Sequence, residues 1–174
     1  KILEIGSLFG SSAASFLKYF HNAEIYCLDV NPFQIKYISK NMKKIYFNSA
    51  NRKTVSDISN YFDCEFDIII DDGSHNKKDQ IVTLNYFLPK IKNKGLYVVE
   101  DTCEYIKLPK LNDDKLDYGV NEFVQSVFET GRHFSKYLTD LEKKNIKNMI
   151  NKLYLEKGNF IHNNESLPEI IFIE

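Results

Sequence analysis

The sequence predicts an α/β fold: a doubly wound, Rossmann-like sheet of seven mostly parallel strands, finished by a C-terminal antiparallel hairpin. Three observations predict it. Apolar runs alternate with amphipathic stretches through the first hundred residues, the pattern of successive βα units. The strand-like runs are apolar throughout, as strands covered on both faces must be. The C-terminal stretch returns to β character after a long irregular segment. With 174 residues, 43% of them hydrophobic, the chain has material for one domain, 1–174, around a sizeable core.

Taken in order, strands are predicted at Ile2–Ile5, Ile25–Leu28, Ile45–Phe47, Phe66–Ile70 and Leu96–Val99. Between them, Ser11 or Ser12 is placed to cap a helix carrying Ala14, Phe16, Leu17 and Phe20, and Asn31-Pro32 reads as a further helix start. Thr54–Phe62 and Lys77–Ile91 have helical patterning. Asp101–Gly119, with Pro109 and many charges, reads as a long loop of the kind that carries function, and Asn121–Phe134 as a helix. The charged run Glu142–Lys147 reads as a solvated helix face. Leu153–Leu155, a short stretch near Phe160–Ile161, and Ile170–Ile173 supply the hairpin.

Composition narrows the function classes. Lys and Arg total 23 against 24 acids, so no basic field exists to hold nucleic acid. No run approaches the length of a membrane span. Cys27, Cys64 and Cys103 are odd in number and far apart, which argues against a disulfide scaffold and for a reducing, cytoplasmic setting. Lys1 already lies in a core strand with no initiator Met, so further N-terminal residues are expected.

Glu4-Ile5-Gly6-Ser7-Leu8-Phe9-Gly10 lies where the first strand turns into the first helix, a place where a ligand can approach backbone amides. The spacing is not the three-glycine pattern of dinucleotide folds, which disfavours a nicotinamide cofactor. Asp29 ends the second strand nineteen residues beyond Gly10, where a carboxylate can accept both hydroxyls of a ribose. Turn and acid together point to an adenosine-containing ligand.

Asp71-Asp72-Gly73-Ser74-His75 follows the fourth strand and Glu100-Asp101 the fifth, so these groups belong to one crevice at the carboxyl edge of the sheet. Carboxylates converging there repel unless a cation joins them, and oxygen ligands suit Mg²⁺ or Mn²⁺. That makes Asp72, Glu100 and Asp101 candidate metal ligands. An imidazole exchanges its proton near working pH, which makes His75, three residues past Asp72, the candidate general base. His21, His133 and His162 have no such company and read as structural.

The segments ILEIGSLFGSS, CLDVNP, FDIIIDDGSHNKKDQ and KGLYVVEDT resemble the class I S-adenosylmethionine-dependent methyltransferases. They are most similar to the metal-dependent sugar O-methyltransferases of macrolide and surface-glycan pathways. The likeness covers about residues 1 to 102, and DDGSH with YVVED is its distinctive part. The resemblance implies S-adenosylmethionine as cofactor, with Glu4, Gly6, Ser7 and Gly10 around its methionine and ribose, Asp29 on the ribose hydroxyls and Asp71 at the methionine end. It implies Mg²⁺ or Mn²⁺ on Asp72, Glu100 and Asp101, with His75 and Asp72 as the catalytic pair. The acceptor it implies is a small sugar or sugar nucleotide; a homo-oligomer is compatible with it. Where relatives carry an acid near the adenine, this chain reads Phe47-Asn48-Ser49-Ala50-Asn51, and Lys94-Gly95 stands where relatives have Gly-Gly. A catechol or small diol as acceptor, and a cofactor-binding protein without turnover, are the alternative readings.

Overall fold

The computed structural model describes residues 1–102, 119–131, 135–157, 161–162, 165–166 and 169–174. The fold is a seven-stranded sheet in the order β3-β2-β1-β4-β5-β9-β6 with helices on both faces. The first five strands are β1 (Ile2–Ile5), β2 (Ile25–Asp29), β3 (Met42–Tyr46), β4 (Phe66–Asp71) and β5 (Ile91–Val99), all parallel. β6 (Leu153–Lys157) and β9 (Glu169–Ile173) form the expected antiparallel hairpin, with β9 antiparallel to β5. A small ribbon of β7 (Ile161–His162) and β8 (Glu165–Ser166) lies between them in sequence. Most of the expected 101–119 loop, with Cys103, and also His133 and Phe160, lies outside the described residues.

Strand alternation sorts the core into two layers. Leu3, Ile5, Tyr26, Leu28, Ile69 and Tyr97 face the larger layer, built with α2 (Arg52–Tyr61), α3 (Lys77–Phe87), α4 (Val120–Thr130) and α5 (Asp140–Met149). Ile2, Ile25 and Cys27 face the smaller one, under α1 (Ser11–Tyr19). Tyr26, Phe62 and Phe66 pack edge to face, with ring centroids 5.2–5.4 Å apart.

Several element boundaries differ from the sequence reading, each for a local reason. α1 is capped by Gly10, not by Ser11 or Ser12; the Ser12 hydroxyl donates instead to the Glu4 carboxylate. Asn31-Pro32 opens only a single 3₁₀ turn, Pro32–Gln34, before Ile35 takes an extended, buried position. The helix expected over Lys77–Ile91 ends at Phe87, because Pro89 occupies a 3₁₀ turn and Ile91 already pairs with Phe66 in the sheet. The helix expected to reach Phe134 stops at Thr130, where Gly131 takes a left-handed φ of 66° as its cap. β3 starts at Met42 and exposes Lys43 and Lys44, the mixed pattern of an edge strand.

The charged run on α5 is only partly solvated: Lys143 and Ile146 are buried. Glu142 completes a capping box with Thr139 and also accepts from Arg52 of α2 and, at 3.2 Å, from Asn85 of α3. Burial works to raise its pKa, but the Thr139 backbone and hydroxyl donors and the Arg52 guanidinium outweigh it and hold the carboxyl below its ordinary value. Glu142→Ala is expected to lower stability by about 1–3 kcal/mol at pH 7, mainly through the lost cap and the unpaired donors, since Arg52 is substantially exposed. A depressed pKa stabilises above the unfolded value of about 4.3 and loses that effect as pH falls through the folded one. Urea unfolding should therefore show the wild-type advantage at pH 7 shrinking below pH 4.

Candidate active site

The chain order of the sheet reverses between β1 and β4, so the crevice beyond their carboxyl ends is where an open α/β fold binds ligands. Ile5 and Asp71 are partners across these strands, and the residues that follow leave the sheet side by side. The Asp72 amide donates to the Ile5 carbonyl at 2.9 Å, and the Gly6 amide to the Leu28 carbonyl at 2.8 Å. Gly6 has φ +87°, and a Cβ there would fall 2.0 Å from the Asp72 carbonyl oxygen. Glycine is the residue that fits this turn, on both sterics and conformation.

Asp29, buried at the end of β2, holds the same turn from the other side. Its Oδ2 accepts from the Leu8 amide at 2.8 Å, and its Oδ1 from the Asn31 amide at 2.8 Å and Gln34 Nε2 at 3.3 Å. A carboxylate has about four lone-pair sites, so Asp29 retains acceptor capacity toward the crevice. Together Gly6, Asp29, Val30, Phe47, Ser49 and Gly73 wall a cleft of about 190 Å³. Residues 47–50 thus form a side of the cleft. Ser7 is buried at the turn, its hydroxyl donating to the Glu4 carbonyl at 3.4 Å.

Glu4 is buried one residue behind the turn, with Oε2 lacking a hydrogen-bond partner. Burial raises its pKa, only partly offset by Ser12 and Ser7. Asp71 is also buried, and burial lifts its pKa to about 7 against the Gly73 amide and the Tyr97 hydroxyl, which donates to it at 3.5 Å.

Across the crevice, Asp72, His75 and Asp101 offer three ligand atoms within 4.8 Å of one another. His75 Nε2 stands 3.9 Å from Asp72 Oδ1 and 3.9 Å from Asp101 Oδ2, and its Nδ1 is buried without a partner. His75 at φ 54° and Asp101 at φ 50° both hold left-handed backbone, a strained state for residues with a Cβ. Glu100 lies beside this trio as a half-buried neighbour, outside the set of converging ligand atoms. Burial raises its pKa, and the charges of Asp72 and Asp101 raise it further. Asp72 is raised chiefly by burial, with His75 opposing and Asp101 adding. This crowding of carboxylates with one imidazole, on two adjacent loops, is a donor set that fits Mg²⁺ or Mn²⁺.

The sequence reading missed two buried side chains behind the trio. Asp79 accepts from the Ser74 hydroxyl at 2.7 Å, and Gln80 Nε2 donates to the Glu100 carbonyl at 3.0 Å. The Asn-x-x-Asp spacing from the α3 cap, Asn76, is the one sequence signal that marks Asp79 as a first-turn residue.

A family model described as a methyltransferase domain matches residues 3–102, the stretch that contains every group of this crevice. The chain belongs to that methyltransferase family. Its sheet and helix arrangement is the class I fold expected from the sequence. No curated protein matches the chain. Among solved structures, the methyltransferase is similar to MycE from the mycinamycin biosynthetic pathway, in complex with Mg, SAH and mycinamycin VI (TM-score 0.69, 19% identity, 99% of this chain and 43% of that one). It is also similar to an O-methyltransferase from Bacillus cereus in complex with SAH (TM-score 0.55, 11% identity, 99% of this chain and 72% of that one). The chain spans less than half the length of MycE.

Gly6→Ala is the sharpest probe of the turn. It should lower stability by roughly 1–3 kcal/mol or more from the left-handed backbone alone, and the clash with Asp72 should deform the crevice. Thermal unfolding and calorimetric titration with S-adenosylhomocysteine check this: a lower Tm together with lost affinity is expected.

Proposed function

We propose that the protein transfers a methyl group from S-adenosylmethionine to a hydroxyl of a sugar or sugar nucleotide, with a divalent cation, Mg²⁺ or Mn²⁺, in the crevice. The observation that carries the reading is the convergence of Asp72, His75 and Asp101 beside the cleft formed by Gly6 and Asp29. When bound, S-adenosylmethionine supplies an electrophilic methyl group, and a cation supplies the charge that makes an acceptor hydroxyl more acidic. The sugar acceptor rests on the distinctive DDGSH and YVVED segments and on the likeness to MycE. Residues 1–174 are proposed to act as one domain, supported by the unbroken sheet from β3 to β6. The cytoplasm is the proposed setting, supported by the free thiols of Cys27 and Cys64; no helix among the described residues is long and apolar enough to cross a membrane.

The residues divide the work. Asp29 accepts the ribose hydroxyls with its remaining lone pairs while its amide donors keep the glycine turn closed. Glu4 offers Oε2 to the positively charged end of the cofactor, and Asp71 lines the same end. Gly6 keeps the backbone close to it without a Cβ, Ser7 stays near it with its hydroxyl turned back to the Glu4 carbonyl, and Gly10, where a Cβ would meet Ile35, lets the turn pass into the first helix beside it. Asp72 and Asp101, with Glu100 beside them, hold the cation. His75 takes the acceptor proton at Nε2, the nitrogen that faces both carboxylates, and passes it to solvent through its partly exposed ring. What remains is alignment of oxygen, methyl and sulfur and exclusion of water.

A methyl-transfer assay against sugar nucleotides and a catechol control tests the reading. Turnover on a sugar hydroxyl should vanish in excess chelator and return with Mg²⁺ or Mn²⁺; full activity in chelator contradicts it, and turnover on the catechol alone reassigns the acceptor. Asp72→Ala should abolish transfer and leave S-adenosylhomocysteine affinity within about threefold, since the charge-assisted contacts to the cofactor lie elsewhere. His75→Ala should reduce turnover by on the order of 10²–10⁴. If His75→Ala instead abolishes cation binding, His75 is a ligand and not the base.

A further inference from the structure

The crevice is assembled from two loops that belong to different strands, and their separation decides whether Asp72 and His75 meet Asp101. The strands themselves fix only the point where each loop begins: the Glu100 amide donates to the Asp71 carbonyl at 2.9 Å. Beyond that point both loops run through backbone that residues with a Cβ adopt reluctantly, at His75 and at Asp101. Left to itself such backbone would relax into commoner conformations and the ligand atoms would part. Something must hold each loop in place.

Consecutive residues on the first turn of α3 do so. Asp79 accepts from the Ser74 hydroxyl at 2.7 Å, one residue before His75. Gln80 Nε2 donates to the Glu100 carbonyl at 3.0 Å, one residue before Asp101. Both side chains are buried, Gln80 to 2% exposure and Asp79 to 7%. The turn that carries them is itself anchored: the Asn76 side chain accepts from the Lys78 amide at 3.0 Å, and the Gln80 amide donates to the Asn76 carbonyl at 2.9 Å. Neither Asp79 nor Gln80 belongs to the converging trio.

We propose that Asp79 and Gln80 are positioning residues that set the distance between the 72–75 loop and the 100–101 loop and thereby form the cation site. The proposal rests on the reading of the crevice as a cation site. Because neighbouring residues of one helical turn move together, the two contacts act as a spacer of fixed length. Groups that orient metal ligands in this way matter to affinity about 10–100-fold when removed.

The test is calorimetric titration of the full chain with Mn²⁺ alone, with S-adenosylhomocysteine affinity and Tm measured alongside. Gln80→Ala should weaken Mn²⁺ by about 10–100-fold while S-adenosylhomocysteine affinity stays within about threefold. Ser74→Ala, at an exposed position, deletes the other contact without touching the core and should weaken Mn²⁺ in the same direction. Asp79→Asn keeps an acceptor for Ser74 and should stay near wild type, whereas Asp79→Ala should not. Unchanged Mn²⁺ affinity in folded Gln80→Ala and Ser74→Ala overturns the proposal. Equal losses in Asp79→Asn and Asp79→Ala overturn it for Asp79, because charge and not position would then be at work. Wild-type protein that takes up no Mn²⁺ overturns the cation reading, and this proposal with it.

Discussion

The backbone contact between Gly6 and Asp72 is the constraint on which the rest of the crevice depends. It places the turn after β1 directly on the exit of β4, with no room for a Cβ between them. The parallel register of β1 and β4 makes this contact inevitable once Ile5 and Asp71 are paired. One face of the joint becomes the cleft toward Asp29 and Phe47; the other becomes the loop that carries Asp72 and His75. The proposed cofactor and cation sites, built on one joint, share their geometry, so a disturbance at Gly6 reaches both.

The electrostatics follow from the same joint. Glu4, Asp71, Asp72 and Glu100 are each shifted upward chiefly by burial, and neighbouring carboxylates add to every one of them. A protein selected for stability alone would have no reason to gather four acids at the ends of three neighbouring strands. The cost of crowding them, together with left-handed backbone at His75 and Asp101, is offset by the buried sheet beneath. Such a concentration of cost marks a functional site.

How much of this the sequence discloses differs by element. The central strands β1, β2 and β4 lie within a residue of their expected ends, because strands buried on both faces read as unbroken apolar runs. Helix ends are less legible, because several candidate caps compete: Ser11 and Ser12 look like caps, yet Gly10 caps the helix and Ser12 turns to Glu4. In the site, Asp72 and His75 are visible as one short motif. That they share a crevice with Glu100 and Asp101 follows from the strand ends, but the convergence of Asp101 and not Glu100 on them depends on loop conformations that no local pattern records. Asp79 and Gln80 read simply as helix, since a hydrogen bond across twenty residues leaves no periodic trace.

The proposed methyl transfer requires one crevice to bring a cation and the methyl group together. Nuclear magnetic resonance of S-adenosylmethionine carrying a ¹³C-labelled methyl group, bound to the protein and titrated with Mn²⁺, measures this directly. Paramagnetic Mn²⁺ held by Asp72 and Asp101 beside His75 should strongly broaden the bound methyl resonance, and Asp72→Ala should abolish the broadening while the cofactor stays bound. A methyl resonance that remains sharp at saturating Mn²⁺ would contradict the account.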